Sequence, residues 1–150
     1  INHALISEQG EIWLALEGQG IVYRASEKAT EHTLVDKLSA YRLIKDKQNV
    51  IWAATSDGLY KIEGKKVSKV GQEAGLPDAS AFTLLLTQSG TLIVGTEKGA
   101  WQKQHDKFVS VDATLNHESI SSLLEDTQGD IWFGTINKGV FRLRQDVRTS

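Results

Sequence analysis

The chain has no cysteine, no methionine and a single proline among its 150 residues. Without cysteine there can be neither a disulfide framework nor a thiolate metal site, and the redox compartment stays open. A chain that begins at Ile1 and holds no methionine reads as a processed protein or as a segment of a longer one. No apolar run approaches the roughly 18 residues of a membrane span and no signal peptide opens the chain, which predicts a soluble piece. Charge of one sign is also lacking: 17 basic against 19 acidic side chains leave a net charge of −2. No basic field therefore favours nucleic acid, and no acidic tract marks a disordered tail. The length suits one domain with a proper core, since a chain of this size buries roughly 68–70% of its unfolded surface.

What the chain does have is a repeat. Aligned on a turn residue, Gly10, Asn49, Gly90 and Gly129 are each followed three places on by Trp13, Trp52, Ile93 and Trp132, at spacings of 39, 41 and 39. A second marker keeps step with the first. Gly20, Gly58, Gly99 and Gly139 precede Val22, Tyr60, Trp101 and Phe141 by two places.

Each unit reads as short strands joined by turns. The first strand holds an apolar pair, Ala4-Leu5, Leu43-Ile44, Leu84-Leu85 or Leu123-Leu124, and closes in a polar turn such as "DTQGD", where glycine supplies the positive φ. The second strand, "IWLAL", "IWAAT", "LIVGT" or "IWFGT", is apolar on both faces, which predicts cover on both sides. A third strand follows the second glycine, and "KVSKV" and "KFVSV" supply a fourth in the middle copies. Four strands per repeat of about 40 residues make a meander, and a sheet that buries both faces against its siblings is a β-propeller blade. The expectation is an all-β fold of about four blades, near 1–39, 40–79, 80–118 and 119–150, the last without a convincing outer strand. Ala15, Ala54, Gly95 and Gly134, two places after the tryptophan position, would let the next blade approach. Relief of crowding within one sheet is the alternative. Stacking predicts that Gly134→Leu overpacks a blade interface. Because propellers close with four to eight blades, the chain is a tight ring, half of a dimeric ring or a segment of a larger one, and an open arc favours self-association.

Asp126, Gly129, Ile131-Trp132, Gly134-Thr135 and Gly139-Val140 together resemble the two-component regulator propeller repeat. The second copy matches through Asp46, Ile51-Trp52, Thr55 and Gly58-Leu59-Tyr60, and "GLPDAS" from Gly75 is similar to the family's link between blades. The third has Ile93 for the tryptophan and Thr87 for the acid, and in the first Ser7 replaces the acid and Leu16 the threonine. The resemblance implies an extracytoplasmic, periplasmic sensor region whose parent chain is joined through the membrane to a kinase or cyclase output domain.

Strand direction places the turns between second and third strands, and the links between blades, on one face, where propeller function gathers. The candidate ligand residues there are Glu17, Gln19, Ser56, Asp57, Glu97, Lys98, Asn137 and Lys138 from the turns, with Asp78, His117, Glu118 and Ser119 from the links. Their mixed polarity suits a sugar or a peptide. His3, His32, His105 and His117 fall at unrelated repeat positions, so no zinc site, and no cofactor, is expected. "DTQGD" lacks the closing acid of an EF-hand. No nucleophile elbow, Walker loop or carboxylate pair argues for catalysis. The leading reading is a non-catalytic sensor propeller. A propeller lyase or hydrolase, for which His117 and Glu118 are the only adjacent pair, and a structural dimerisation module are the alternatives.

Overall fold

A computed structural model describes residues 2–144. It contains four antiparallel sheets in chain order. The first is β1 (His3–Ile6), β2 (Ile12–Leu16), β3 (Gly20–Arg24) and β4 (His32–Val35). The second is β5 (Ala40–Lys45), β6 (Ile51–Thr55), β7 (Gly58–Glu63) and β8 (Lys66–Val70). The third is β9 (Ala81–Leu86), β10 (Leu92–Thr96), β11 (Gly99–Gln104) and β12 (Lys107–Ser110). The last has β13 (Ile120–Glu125), β14 (Ile131–Thr135) and β15 (Val140–Leu143). Each is a meander of sequential neighbours, and β1, β5, β9 and β13 pack in succession at the inner edge. This is a β-propeller arc. The expectation that no outer strand follows β15 falls partly on 145–150, outside the described residues.

Both faces of the middle blades are buried, and the period-2 alternation of side chains decides which core each residue enters. Trp13 and Ala15 meet Leu43, Ile51 and Ala53 between the first and second blades. Trp52 and Ala54 meet Leu84, Leu92 and Val94 between the second and third. Ile93 meets Ile120, Ile131 and Phe133 between the third and fourth. β6 and β10 are accordingly buried along their whole length, whereas β2 and β14 bury mainly the residues that face inward along the arc. Two sequence expectations need correction here. Trp132 is only half-buried, because its side of β14 faces away from the third blade. A Cβ on Gly134 would meet Ser122 Oγ of its own sheet at 2.1 Å, so at this position the missing side chain relieves crowding within the sheet. Gly95 fits the stacking reading, since a Cβ there would lie 2.9 Å from both Cγ2 and the carbonyl oxygen of Ile120 in the next blade.

The acid of the repeat has a definite task. Asp46 Oδ1 accepts the N–H groups of Gln48 and Val50 at 2.9 and 3.0 Å, while Oδ2 accepts Trp52 Nε1–H at 2.8 Å. Asp126 repeats all three bonds with Gln128, Asp130 and Trp132. The carboxylate thus closes the first turn and pins the indole, and the Trp132 bond leads the interactions that hold the Asp126 carboxyl below its ordinary range. "DTQGD" is a turn clamp, and Asn49 takes the left-handed position in the second copy at φ 66°.

His3 ties the first blade to the second: its Nδ1 accepts the Leu43 N–H at 3.0 Å, just beyond the bulge between Ala40 and Arg42. Burial, helped by the Arg42 charge, lowers its pKa, so the folded chain prefers the neutral ring. A base held below its ordinary value of about 6.5 contributes stability that is complete above that pH and is lost as pH falls towards the folded pKa. Melting temperature should therefore drop between pH 7.5 and pH 5 more steeply in the wild type than in His3→Gln. Parallel pH profiles for the two proteins would refute the role.

Candidate functional site

The turns of the predicted loop face are built by threonine. Thr55 Oγ1 donates to the Gly58 carbonyl at 2.8 Å and accepts the Asp57 N–H at 3.0 Å, closing the turn locally. Thr96 and Thr135 do the same for Gly99 and Lys98, and for Gly139 and Lys138. In the first blade Leu16 cannot, and the Gly18 N–H is met instead by Ser39 Oγ from the link to the next blade, at 2.9 Å.

Those turns are stitched to the links in one seam. Ser39 and Ser56 exchange bonds at 3.1 and 2.8 Å, Ser80 Oγ donates to the Ser56 carbonyl at 2.7 Å, and the Ser80 N–H reaches Glu97 Oε1 at 2.9 Å. Ser119 continues the seam, its hydroxyl donating to the Glu97 carbonyl and its own carbonyl accepting the Ile136 N–H. Ser56, Glu97 and Ser119, expected as ligand residues, are thus occupied in joining blades. Sequence reasoning missed Ser39 and Ser80, although the three link serines recur at 39, 80 and 119, each just before an inner strand.

Between the second and third blades this face opens into a cleft of about 340 Å³. Asp57 and Asp78, both expected, line it together with Lys69, Gln72 and Glu73, and Leu76, Ala81 and Val94 form its floor. Asp57 accepts the Tyr60 hydroxyl at 2.6 Å and Lys69 Nζ at 3.2 Å. The Tyr60 bond, reinforced by Lys69, draws the Asp57 carboxyl below its usual range, and burial together with Asp57 pushes the Tyr60 phenol up to about 12. Glu73 is lowered first by the Gly71 N–H that it accepts at 3.0 Å. The cleft therefore presents ionised carboxylates, one ammonium and an amide above an apolar floor, which can orient a polar ligand. The signal for Gln72 and Glu73 was the length of the link, since 71–80 leaves room for a 3-10 turn at Gln72–Ala74 that reaches across the groove.

The remaining expected residues spread over the rim. Glu17 and Gln19 are exposed on the first turn, Lys98 on the third, and Asn137 and Lys138 on the fourth. His117 is exposed in the last link, where Glu118 spends its backbone N–H on Leu115 and its carbonyl on Gly99, both at 2.9 Å.

Comparison with known proteins places this geometry. Residues 114–137 match the model of the two component regulator propeller. Curated proteins provide no significant match. Among solved structures, the chain is similar to an extracellular domain assigned to a hybrid two component system of B. thetaiotaomicron, at 18% identity and a TM-score of 0.74, over 97% of this chain and 21% of that one. A second such domain from the same organism matches at 16% identity and a TM-score of 0.71, over 92% and 19%. Virginiamycin B lyase from Staphylococcus aureus matches at 12% identity and a TM-score of 0.65, over 95% and 54%. The chain thus spans about a fifth of the two extracellular domains, and at these identities what it shares with all three is the fold. Over 114–137 the match to the two component regulator propeller model and the propeller fold coincide.

Proposed function

We propose that this chain is a segment of a periplasmic sensor propeller in a bacterial signal-transduction receptor, and that the cleft between its second and third blades binds a sugar or peptide ligand without catalysis. The observation that carries the reading is the cleft on the loop face, where Asp57 and Asp78 converge with Lys69 above apolar side chains. Its electrostatics favour binding over chemistry. Asp57 is held ionised and Tyr60 protonated, so neither titrates near neutrality, where a general acid or base works best. The repeat match at 114–137 and the likeness to extracellular domains of B. thetaiotaomicron two component systems support the receptor context.

Isothermal titration against neutral oligosaccharides and short peptides tests the reading. Asp57→Ala and Asp78→Ala should each weaken binding about tenfold or more, the value of a hydrogen bond to a charged group. A wild type that binds nothing, or variants that bind equally well, would refute it. The end faces also bear on partners. Leu124 and Val140, on the outer side of the last sheet, are 61% and 66% exposed, and apolar faces of this kind mark contact surfaces. The isolated segment is expected to self-associate through them, and a strictly monomeric mass in analytical ultracentrifugation would count against that.

A further inference from the structure

On the face opposite the loop cleft, three clefts recur between consecutive blades, and the repeat makes each a control for the others. The one between the first and second blades is the largest, about 780 Å³, against 500 Å³ and 260 Å³ for the next two. The residue at the repeat's tryptophan position lines each of them. In the middle cleft Trp52 Nε1–H is taken by Asp46, and in the third Ile93 offers no donor. In the first, Ser7 stands where the aspartate should be, and its Oγ is committed to Glu11, accepting the backbone N–H at 3.1 Å. Trp13 is 6% exposed and its Nε1–H has no acceptor among the described residues. A buried donor left unmet costs about 1–3 kcal/mol, so an acceptor brought to it is strongly favoured.

The surroundings say what kind of acceptor. Glu8 and Glu11 supply carboxylates, Gln9 and Asn49 amides, and Lys45 and Lys65 ammonium groups. Tyr23, packed 5.3 Å from the Trp13 ring, carries its hydroxyl to Glu11 Oε2 and is covered by Lys65 Nζ at 5.2 Å. Donors and acceptors alternate around an aromatic wall, and the two cations balance the two carboxylates. A ligand whose every polar group both donates and accepts, without net charge, fits best.

We propose that this cleft is a second binding site, independent of the loop-face cleft, that takes a neutral saccharide, one hydroxyl of which accepts the Trp13 indole N–H while others donate to Glu8 and Glu11. Glucose, maltose, cellobiose and lactose are the probes, titrated into 15N-labelled protein while the indole N–H resonances of the four tryptophans are followed. At least one sugar should shift the Trp13 resonance saturably, with those of Trp52 and Trp132 unmoved. Trp13→Phe, which keeps the ring and removes the donor, should weaken that sugar at least tenfold as read on neighbouring backbone amides. Ser7→Asp, which offers the indole the partner it has in the second and fourth blades, should do the same in a protein that stays folded. Asp57→Ala should leave this binding unchanged, which separates the site from the loop-face cleft. No shift of the Trp13 resonance with any of the sugars would overturn the proposal, as would Ser7→Asp binding like the wild type, or a shift that a charged peptide produces and the sugars do not.

Discussion

Trp52→Ala should be the most damaging single truncation in this chain, costing about 3–5 kcal/mol, while Trp132→Ala at the same repeat position should cost about 1–2 kcal/mol. Trp52 is 2% exposed, and its ring meets Phe108 edge-on at 6.2 Å in the core between the second and third blades. Removing it leaves a cavity bounded by two sheets and strips Asp46 Oδ2 of its indole donor. Trp132 keeps the equivalent bond to Asp126, at 2.9 Å, but is only half-buried, with the Arg142 guanidinium 5.1 Å from its ring. For a domain of this size the Trp52 loss corresponds to a fall in melting temperature on the order of 10 °C. Urea denaturation of both variants measures the contrast, and equal losses would mean that burial between blades does not set the cost.

Gly95→Leu should destabilise by about 3 kcal/mol, the upper end of overpacking effects, whereas Gly134→Leu should cost about 1 kcal/mol or less. A Cβ on Gly95 would lie 2.7 Å from Thr83 Cγ2 and 2.9 Å from the Ile120 carbonyl oxygen, and the latter belongs to the backbone of the next blade. The two sheets would have to separate. At Gly134 the offending atom is Ser122 Oγ, the end of an exposed side chain that can rotate away. Adding Ser122→Ala should rescue most of the Gly134→Leu loss, and no second substitution in the same sheet should rescue Gly95→Leu. Equal costs at 95 and 134 would return the small residues to the within-sheet explanation at both positions.

These contrasts show where the sequence speaks clearly. The turn positions Gly10, Asn49, Gly90 and Gly129 and the strands around them were legible because a left-handed residue and an apolar strand recur together, a pattern only a repeated turn imposes. The alternation within β2 and β6 was not, because "IWLAL" and "IWAAT" are equally apolar and differ only in whether a blade lies on each side. That information belongs to the arc, not to the strand. Among the residues that line the loop-face cleft, the placement of Asp57 and Asp78 on that face was readable from strand direction alone, since direction decides which turns share a face. Lys69 was hidden because it sits on an outer strand, and its approach to Asp57 depends on the pairing of Tyr60 with Lys69 across β7 and β8. The orphaned indole of Trp13 was half visible: Ser7 stood out as a departure from the repeat, but only the geometry shows that Glu11 turns to Tyr23 and leaves the indole without an acceptor among the described residues.

Native-state hydrogen exchange resolved by strand tests most directly the claim that these sheets persist by clasping one another. β6 and β10, enclosed by neighbours, should be the last to exchange and should open together with the same denaturant dependence, while amides of the fourth sheet exchange earlier. Four sheets that opened independently, each with its own free energy, would contradict it.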